Sequence, residues 1–184
     1  MLEVILSALW FFLPAGIANS APVFAARAKS LRFLEIPVDG GKKLKGKRLL
    51  GDHKTIRGFV VGFISALLIL GLQKFLYSNY EFIKEISYVN YESINILVLG
   101  FLFSFGALGG DAIKSFFKRR TSVKPGDPWF PFDQIDYIIG GLLGSMLIVK
   151  LEPMQYFAVF IIWFILHPTS TFIAYKLKLK DKPF

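Results

Sequence analysis

Five stretches of the chain are apolar over enough residues to cross a lipid bilayer as helices. A hydrocarbon core of about 30 Å requires about 20 mostly apolar helical residues. The sequence therefore predicts an all-α integral membrane protein, in which residues 1–184 form a single transmembrane domain. We expect the spans at residues 2–26, 56–77, 93–113, 134–151 and 154–175, the first of them interrupted by prolines.

Lys and Arg residues are distributed unevenly between the two sides of these spans. Residues 27–57 hold ten of them, residues 114–124 five and residues 176–182 four, whereas the other side holds three. Such cations concentrate in cytoplasmic loops. We therefore expect a multi-pass protein of the cell membrane, with the N-terminus outside and the C-terminus and loops 27–55 and 114–133 in the cytoplasm.

Composition supports a membrane protein and narrows the possible chemistry. The chain is 54% hydrophobic, contains 20 Phe and has a mean hydropathy of +0.52, which excludes an ordinary soluble domain. Cysteine is absent, so disulfides and thiolate metal sites are excluded. The formal charge of +9 fits topogenic charge and attraction to anionic lipid. Because the cations flank membrane spans, we expect no nucleic-acid partner.

Three carboxylates lie between the third and fourth apolar segments. Asp111 is near the end of the third span, where the helix dipole disfavours an acid. Asp133 and Asp136 begin the fourth span, and Asp133 is a possible N-cap there. Converging from two helix ends, the three would form a hard oxygen site suited to Mg²⁺.

Polar and cationic residues accompany the first of these carboxylates. Asp111, Ser115 and Lys118 have i, i+4, i+7 spacing and share a helical face, which Lys114 and Arg119 flank. A magnesium site surrounded by cations suits transfer at phosphorus, where positioning and charge neutralisation dominate catalysis. The residues therefore favour phosphoryl or nucleotidyl transfer to a lipid.

The first basic loop, residues 37–58, is rich in glycine and cations, a composition that suits phosphate binding. Gly41, Gly46 and Lys47 have P-loop spacing, but Arg48 replaces the Ser or Thr that would hold magnesium, so we reject a P-loop.

The second span begins directly after this loop. Thr55 is positioned to cap the helix, and the helix N-terminus together with Lys54 and Arg57 would attract an anion. A capped helix start on the cytoplasmic side requires the same residues without any ligand, so both interpretations stay open.

The polar positions between residues 110 and 136 form a signature, and residues 13–22, 37–40 and 51–58 support it. The signature comprises Gly110, Asp111, Ser115, Lys118, Arg119, Lys124, Asp133 and Asp136. It resembles the CTP-dependent lipid cytidylyltransferases, and most closely their archaeal branch, the CDP-archaeol synthases.

The resemblance implies a Mg²⁺-dependent enzyme that uses CTP and an isoprenoid ether-lipid phosphate. The phosphate of an unsaturated archaeal ether lipid would attack the α-phosphorus of CTP, giving CDP-archaeol and pyrophosphate. It implies that Asp111, Asp133 and Asp136 hold the metal and act in catalysis with Lys118. The expected nucleotide- or phosphate-binding residues are Ser115, Arg119, Lys124, Lys54, Thr55, Arg57 and Arg48.

Asn19 and Ser20 lie between the prolines of the first span, where a broken helix would expose backbone groups. They either bind the lipid phosphate or simply pack; the resemblance favours binding. His167, followed by Pro168, is interpreted as a kink with a hydrogen-bonded imidazole.

The departures from the bacterial phosphatidate enzymes fit the archaeal branch. Pro125 follows Lys124, and Gln134 follows Asp133, where those enzymes have Asp and Arg. A phosphatidate cytidylyltransferase acting on ester lipid and a lipid transporter or export protein are the alternatives. The CDP-alcohol phosphotransferase motif is absent after Asp39 and Gly40.

Membrane lipids are expected partners. A homodimer is possible, because pairs of glycines at i, i+4 spacing allow close helix contact within one chain or between two.

Overall fold

The structure is a computed structural model that describes residues 1–121, 123 and 127–176. Six α-helices, a short 3₁₀ helix at Lys29–Leu34 and two antiparallel two-residue strands, β1 (Lys43–Leu44) and β2 (Lys47–Arg48), make up this part. The helices are α1 Leu2–Ala25, α2 Ile56–Asn79, α3 Glu81–Glu85, α4 Ile96–Arg120, α5 Phe132–Ser145 and α6 Pro153–Lys176. The predicted helical class is confirmed, and the small hairpin is an addition to it.

Four of these helices are long and apolar enough to span a membrane, judged within the described residues: α1, α2, α4 and α6. The predicted fourth span is shorter than expected, because α5 has only 14 residues and ends at Ser145. The polar stretch after the third span also differs from the prediction, since α4 continues through Arg120. Residues 114–120 are therefore helical and lie on the same rigid element as Asp111.

The first helix is continuous, although the sequence predicted an interruption at its prolines. Pro14 has no N–H to donate to the Trp10 carbonyl one turn earlier. Gln73, fully buried on α2, supplies the missing donor, and its Nε2 lies 2.5 Å from the Trp10 oxygen. A side chain of a neighbouring helix thus satisfies the backbone group that the proline leaves free, as membrane helices require.

The crossing of α4 and α5 is the closest helix contact of the fold. A Cβ atom built on Gly106 would overlap the Gly140 carbonyl, and one built on Gly140 would overlap the Gly106 carbonyl. Gly110 stands in the same relation to the carbonyl of Asp136. These glycines at i, i+4 spacing therefore allow two helices of the same chain to pack closely. Only glycine permits this approach of the two backbones.

Aromatic side chains fill the space between α1, α4 and α6. The Phe12 ring packs edge-on against Phe103 at 5.7 Å and against Trp163 at 5.4 Å, centroid to centroid. Trp163 donates its indole N–H to the Ala8 carbonyl at 3.1 Å. This core packs α1 directly against both α4 and α6. The N-terminal end of α2 and the C-terminal end of α4 lie together, because Lys54 pairs with Asp111 and Arg120 donates to the loop before α2. We call this the basic side of the protein.

The α4–α5 crossing yields a stability prediction. Gly140→Ala should lower the free energy of unfolding by about 1–3 kcal/mol, because the added methyl group overlaps the Gly106 carbonyl. Gly109→Ala is the control, since a Cβ at that position meets nothing within 4 Å. Thermal unfolding in detergent checks both. Equal midpoints for the two variants would show that the close crossing does not depend on glycine.

Candidate active site

Three carboxylates from two helices converge on one ammonium group. Asp111 lies on α4, and Asp133 and Asp136 lie on the first turns of α5. The Lys114 Nζ is 3.1 Å from Asp111 Oδ1, 2.7 Å from Asp133 Oδ1 and 3.0 Å from Asp136 Oδ2. The predicted convergence is therefore present, with the side chain of Lys114 at its centre.

Two further lysines complete the charge balance of this cluster. Lys54, at the end of the first basic loop, pairs with Asp111. Lys118 pairs with Asp133 at 3.1 Å. Three carboxylates thus face three ammonium groups. None of these six side chains is more than 21% exposed.

Asp133 is not the N-cap that its position suggested. Pro131 precedes the first helical residue, so Asp133 lies within the first turn of α5. Its Oδ2 accepts the backbone N–H of Trp129 at 2.6 Å. The carboxylate therefore orders the end of the proline-rich loop and is aimed back toward α4.

The chemistry of these donors fits a hard divalent cation, but the position is taken. Carboxylate oxygens are the ligands that Mg²⁺ prefers, and three of them already surround one cationic nitrogen. In this arrangement, no group of three acidic or histidine side chains among the described residues is placed to hold a metal ion. A metal can be held by Asp111, Asp133 and Asp136 only if the Lys114 ammonium moves away.

A cavity of about 290 Å³ opens beside the carboxylates on the basic side. Besides the three carboxylates, Lys114 and Lys118, its walls include polar residues that the sequence interpretation did not assign to a site. These are Asp127, Gln134, His167 and Thr171. We refer to it as the polar cavity.

A second cavity, of about 470 Å³, lies between α1 and α2. Its polar part is lined by Lys54, His53 and Arg57 together with the acids Glu35 and Asp52. Its apolar part includes Pro22, Val23, Ala26, Phe59 and Leu108. We refer to it as the amphiphilic cavity. Asn19 and Asp111 line both cavities, so the two spaces meet at these residues.

The first basic loop is organised around an internal carboxylate. Asp39, whose side chain is 1% exposed, accepts the N–H groups of Gly41 and Leu50, both at 3.0 Å, and pairs with Arg48 at 2.7 Å. Burial opposes ionisation of Asp39, but the Leu50 N–H, the Arg48 guanidinium and the Gly41 N–H outweigh it and lower the pKa to about 2. The loop amides that suggested a phosphate site thus bind a side chain of the chain itself.

Arginines fasten this loop to α4. Arg120 donates to the carbonyls of Arg48 and Leu49 at 3.1 and 3.0 Å. The Arg119 guanidinium lies 2.7 Å from the place that a Cβ of Gly51 would take, and Gly51 has φ +103. Of the two arginines expected at phosphate, Arg48 therefore pairs with Asp39 inside the loop and Arg119 lies against Gly51, both away from Asp111, Asp133 and Asp136.

The remaining predicted residues divide into structural and cavity-lining groups. Thr55 caps α2, as expected, by accepting the Gly58 N–H at 3.2 Å. Arg57 is buried and pairs with Glu35 at 3.2 Å. Ser20 donates to carbonyls of its own helix, and Ser115 is buried and lines neither cavity. Lys124 lies outside the described residues.

The family of the chain follows from sequence comparison. A sequence model of the CarS-like family, described as CDP-archaeol synthase, matches residues 1–184. The chain belongs to the CDP-archaeol synthase family.

Curated members of the family align over nearly the whole chain. The CDP-archaeol synthase of Thermococcus onnurineus is 33% identical over 184 residues, covering 99% of this chain and 98% of the relative. That of Methanospirillum hungatei is 38% identical over 179 residues, covering 93% of this chain and 99% of the relative.

A solved structure shares the fold. It is described as "Structural insight into an intramembrane enzyme for archaeal membrane lipids biosynthesis", and it superimposes with a TM-score of 0.69 at 32% identity. The match covers 90% of this chain and 93% of that one. Membership of the CDP-archaeol synthase family thus confirms the resemblance and the multi-pass membrane class. It also confirms, at family level, an enzyme of the CTP-dependent lipid cytidylyltransferase class.

The residue that sequence reasoning missed is Lys114. The signal was present, because Lys114 follows Asp111 by three residues and therefore lies on the same face of α4. We placed it only at the flank of that face, although its ammonium contacts all three carboxylates. The central position of Lys114 depends on its contacts with Asp133 and Asp136. The distance of these residues from α4 cannot be read from the sequence.

The loop that walls the site generates a pH-dependent prediction. Asp39→Asn should lower the thermal midpoint by on the order of 6–12 °C at pH 7, since it breaks a buried pair. The folded pKa of about 2 lies below that of an unfolded carboxyl, so this contribution is complete above about pH 4. The difference between wild type and Asp39→Asn should therefore shrink as pH falls from 4 toward 2.

Asp52→Asn is the matched control, because Asp52 pairs with the same arginine but its side chain is 74% exposed. It should change the midpoint little at any pH. A gap between wild type and Asp39→Asn that is constant from pH 7 to pH 2 would contradict the prediction.

Proposed function

We propose that the chain transfers the cytidylyl group of CTP to the phosphate of an unsaturated archaeal ether lipid. The products are CDP-archaeol and pyrophosphate. One observation carries the proposal: two cavities of different chemistry share Asn19 and Asp111 as wall residues, and Asp111 belongs to the cluster of three carboxylates. A reaction between a polar nucleotide and an amphiphilic phosphate needs such an arrangement, because the two substrates must approach each other from different surroundings.

The nucleotide is assigned to the polar cavity. Lys118 lies there beside Asp133 and offers charge to phosphate oxygens. Gln134, His167 and Thr171 supply hydrogen-bonding groups along the same wall. A triphosphate brings several negative charges next to three carboxylates, so this assignment requires extra positive charge at the cluster.

Mg²⁺ is the proposed source of that charge, held by Asp111, Asp133 and Asp136. When bound, it would neutralise phosphate oxygens and help to fix the α-phosphorus for attack. The support is the donor set itself, three oxygen ligands that converge on one cationic position.

The lipid phosphate is assigned to the amphiphilic cavity. Lys54 and Arg57 stand at its polar end, near the N-terminus of α2, where Thr55 caps the helix. Such a helix end attracts anions. Val23, Ala26 and the other apolar lining residues of this cavity suit the start of the isoprenoid chains.

The chemical step follows from this placement. An oxygen of the lipid phosphate attacks the α-phosphorus of CTP, a new P–O bond forms, and the bond to the bridging α–β oxygen breaks. Pyrophosphate leaves with the electron pair. The attacking phosphate is already ionised, so no side chain has to remove a proton from it. Asn19 and Asp111, shared by both cavities, lie where the two phosphates meet.

The proposed orientation has five crossings, with the N-terminus outside and the basic side facing the cytoplasm. The excess of Lys and Arg on the basic side supports it. In this arrangement α5 is the fourth crossing: it begins on the basic side with Asp133 and packs along α4 through glycines. A helix of 14 residues is about 21 Å long, so the turn after Ser145 would lie close to the outer surface.

Single cysteines test this orientation, because the natural chain has none. We expect a membrane-impermeant maleimide to label Glu81→Cys and Lys150→Cys in intact cells. Lys45→Cys, in the hairpin on the basic side, should react only after permeabilisation. Protection of Lys150→Cys in intact cells would show that α5 does not cross, and labelling of Lys45→Cys there would reverse the orientation.

An assay with purified protein tests the reaction. With Mg²⁺, CTP and a geranylgeranyl ether-lipid phosphate, we expect CDP-lipid and pyrophosphate in equal amounts. Ester-linked phosphatidate should be the poorer substrate. Faster turnover of phosphatidate would reassign the lipid class. No product from folded protein with any lipid phosphate would reject cytidylyl transfer.

Asp133→Asn and Asp136→Asn locate the reaction within the protein. Each should reduce turnover by at least about 100-fold, because each removes a charge from the site of transfer. Glu81→Gln is the control, being an exposed acid away from both cavities. Wild-type turnover in either Asp variant would remove that residue from the proposed metal site.

A further inference from the structure

We propose that Lys114 is the tethered counter-ion of the carboxylate site. It holds the three carboxylates together when no divalent cation is bound, and it leaves them when one binds. The inference rests on the proposed function in taking that cation to be Mg²⁺. Lys114 is thus a positioning residue that exchanges between two partners, the carboxylates and the phosphates of a bound nucleotide.

The contacts of Lys114 set it apart from the neighbouring lysines. Its ammonium lies within 3.1 Å of an oxygen of each of Asp111, Asp133 and Asp136. Lys54 and Lys118 contact one of these carboxylates each. An ammonium has three N–H donors, and this one donates a hydrogen bond to Asp133 at 2.7 Å and forms ion pairs with Asp111 and Asp136. In this position Lys114 therefore pairs with all three carboxylates at once.

The carboxylates need this cation. Their side chains are between 6% and 20% exposed, so water screens their mutual repulsion only in part. Asp136, the most buried of the three, has no other ion-pair partner than Lys114 among the described residues. Without Lys114, the start of α5 would carry two carboxylates beside Asp111 with too little compensating charge.

A divalent cation and the Lys114 ammonium compete for the same oxygen atoms. Mg²⁺ binds carboxylate oxygens at about 2.0–2.1 Å and keeps several waters, which fills the space that the ammonium occupies. Two cations in contact also repel each other. Binding of Mg²⁺ at the three carboxylates therefore requires Lys114 to withdraw.

The structure offers the withdrawn side chain a place to go. Lys114 lines the polar cavity, and lysine has a flexible four-carbon stem with a compact charge at its end. A phosphate in that cavity is a new partner for the freed ammonium. The exchange keeps Lys114 paired in both states, and it makes the site receptive to metal and nucleotide together.

The competing interpretation is a permanent cross-link between α4 and α5. A cross-link and a displaceable counter-ion both predict that removing Lys114 destabilises the protein. They differ in the effect of Mg²⁺. Only a displaceable counter-ion predicts that the metal restores stability, because the metal then takes over its position.

The test compares wild type, Lys114→Met and Lys118→Met by thermal unfolding in detergent. Samples in EDTA are titrated with MgCl₂, and NaCl of equal ionic strength accounts for screening. In EDTA, Lys114→Met should unfold on the order of 5–10 °C below wild type. MgCl₂ should restore most of this loss, with a half-maximal concentration at least about tenfold below that of wild type, where the metal must displace the lysine.

Lys118→Met is the matched control, because its lysine pairs with Asp133 alone and leaves Lys114 in place. It should lose less stability and respond to MgCl₂ over the wild-type concentration range. Recovery of Lys114→Met by NaCl alone, or no recovery by MgCl₂, would overturn the proposal and leave a cross-link.

A double variant covers the case in which Lys114→Met does not fold. Lys114→Met/Asp136→Asn removes one carboxylate together with the cation, so it should fold in EDTA and require more MgCl₂ than the single variant. Failure of the double variant to fold would count against the counter-ion role. Because unfolding is measured without CTP or lipid, the outcome is independent of whether the proposed transfer reaction occurs.

Discussion

The close crossing of α4 and α5 is the contact on which the site depends. Glycines at positions 106, 110 and 140 bring the two backbones together, and this puts Asp133 and Asp136 within reach of an α4 side chain. A larger residue at the crossing would move the start of α5 away from Asp111. The carboxylate cluster is therefore a product of helix packing, and its geometry is inherited from residues that carry no charge. Small residues without chemistry of their own set the distance at which the charged ones meet.

Sequence reasoning reached the parts of this structure that depend on local pattern. Apolar run length predicted the long helices, and helix-end positions predicted that Asp111 would meet Asp133 and Asp136. Thr55 was recognised as a cap because capping depends on residues within one turn. The failures concern partners distant in the chain. Pro14 predicted an interruption of the first helix. The helix is continuous because Gln73, 59 residues later, supplies the missing donor. The loop glycines suggested phosphate because Asp39 was not known to face them.

The same distinction separates the cations that were expected at phosphate. Composition alone makes Arg48, Arg119 and Lys54 equivalent, since all are basic residues close to the ends of membrane spans. Their partners make them different: Arg48 binds Asp39, Arg119 packs at Gly51, and Lys54 reaches Asp111. Arg48 thus stabilises the loop from within, Arg119 lies against it, and one lysine enters the carboxylate cluster. A basic loop beside a membrane can use an arginine for its own folding and still deliver one ammonium group to the carboxylate cluster.

The hydrogen bond between Gln73 and the Trp10 carbonyl also fixes how α1 lies against α2. Sliding or rotating α1 against α2 would leave both groups without a partner in a medium that offers none. The two helices are therefore pinned at this end. The apolar wall of the amphiphilic cavity at Phe59 lies 14 residues along α2, about 21 Å away. Next to this cavity α1 and α2 are again in close contact, since a Cβ built on Gly62 would lie 2.9 Å from the Ala18 carbonyl oxygen. The amphiphilic cavity therefore lies beside a helix pair that is held together at both levels.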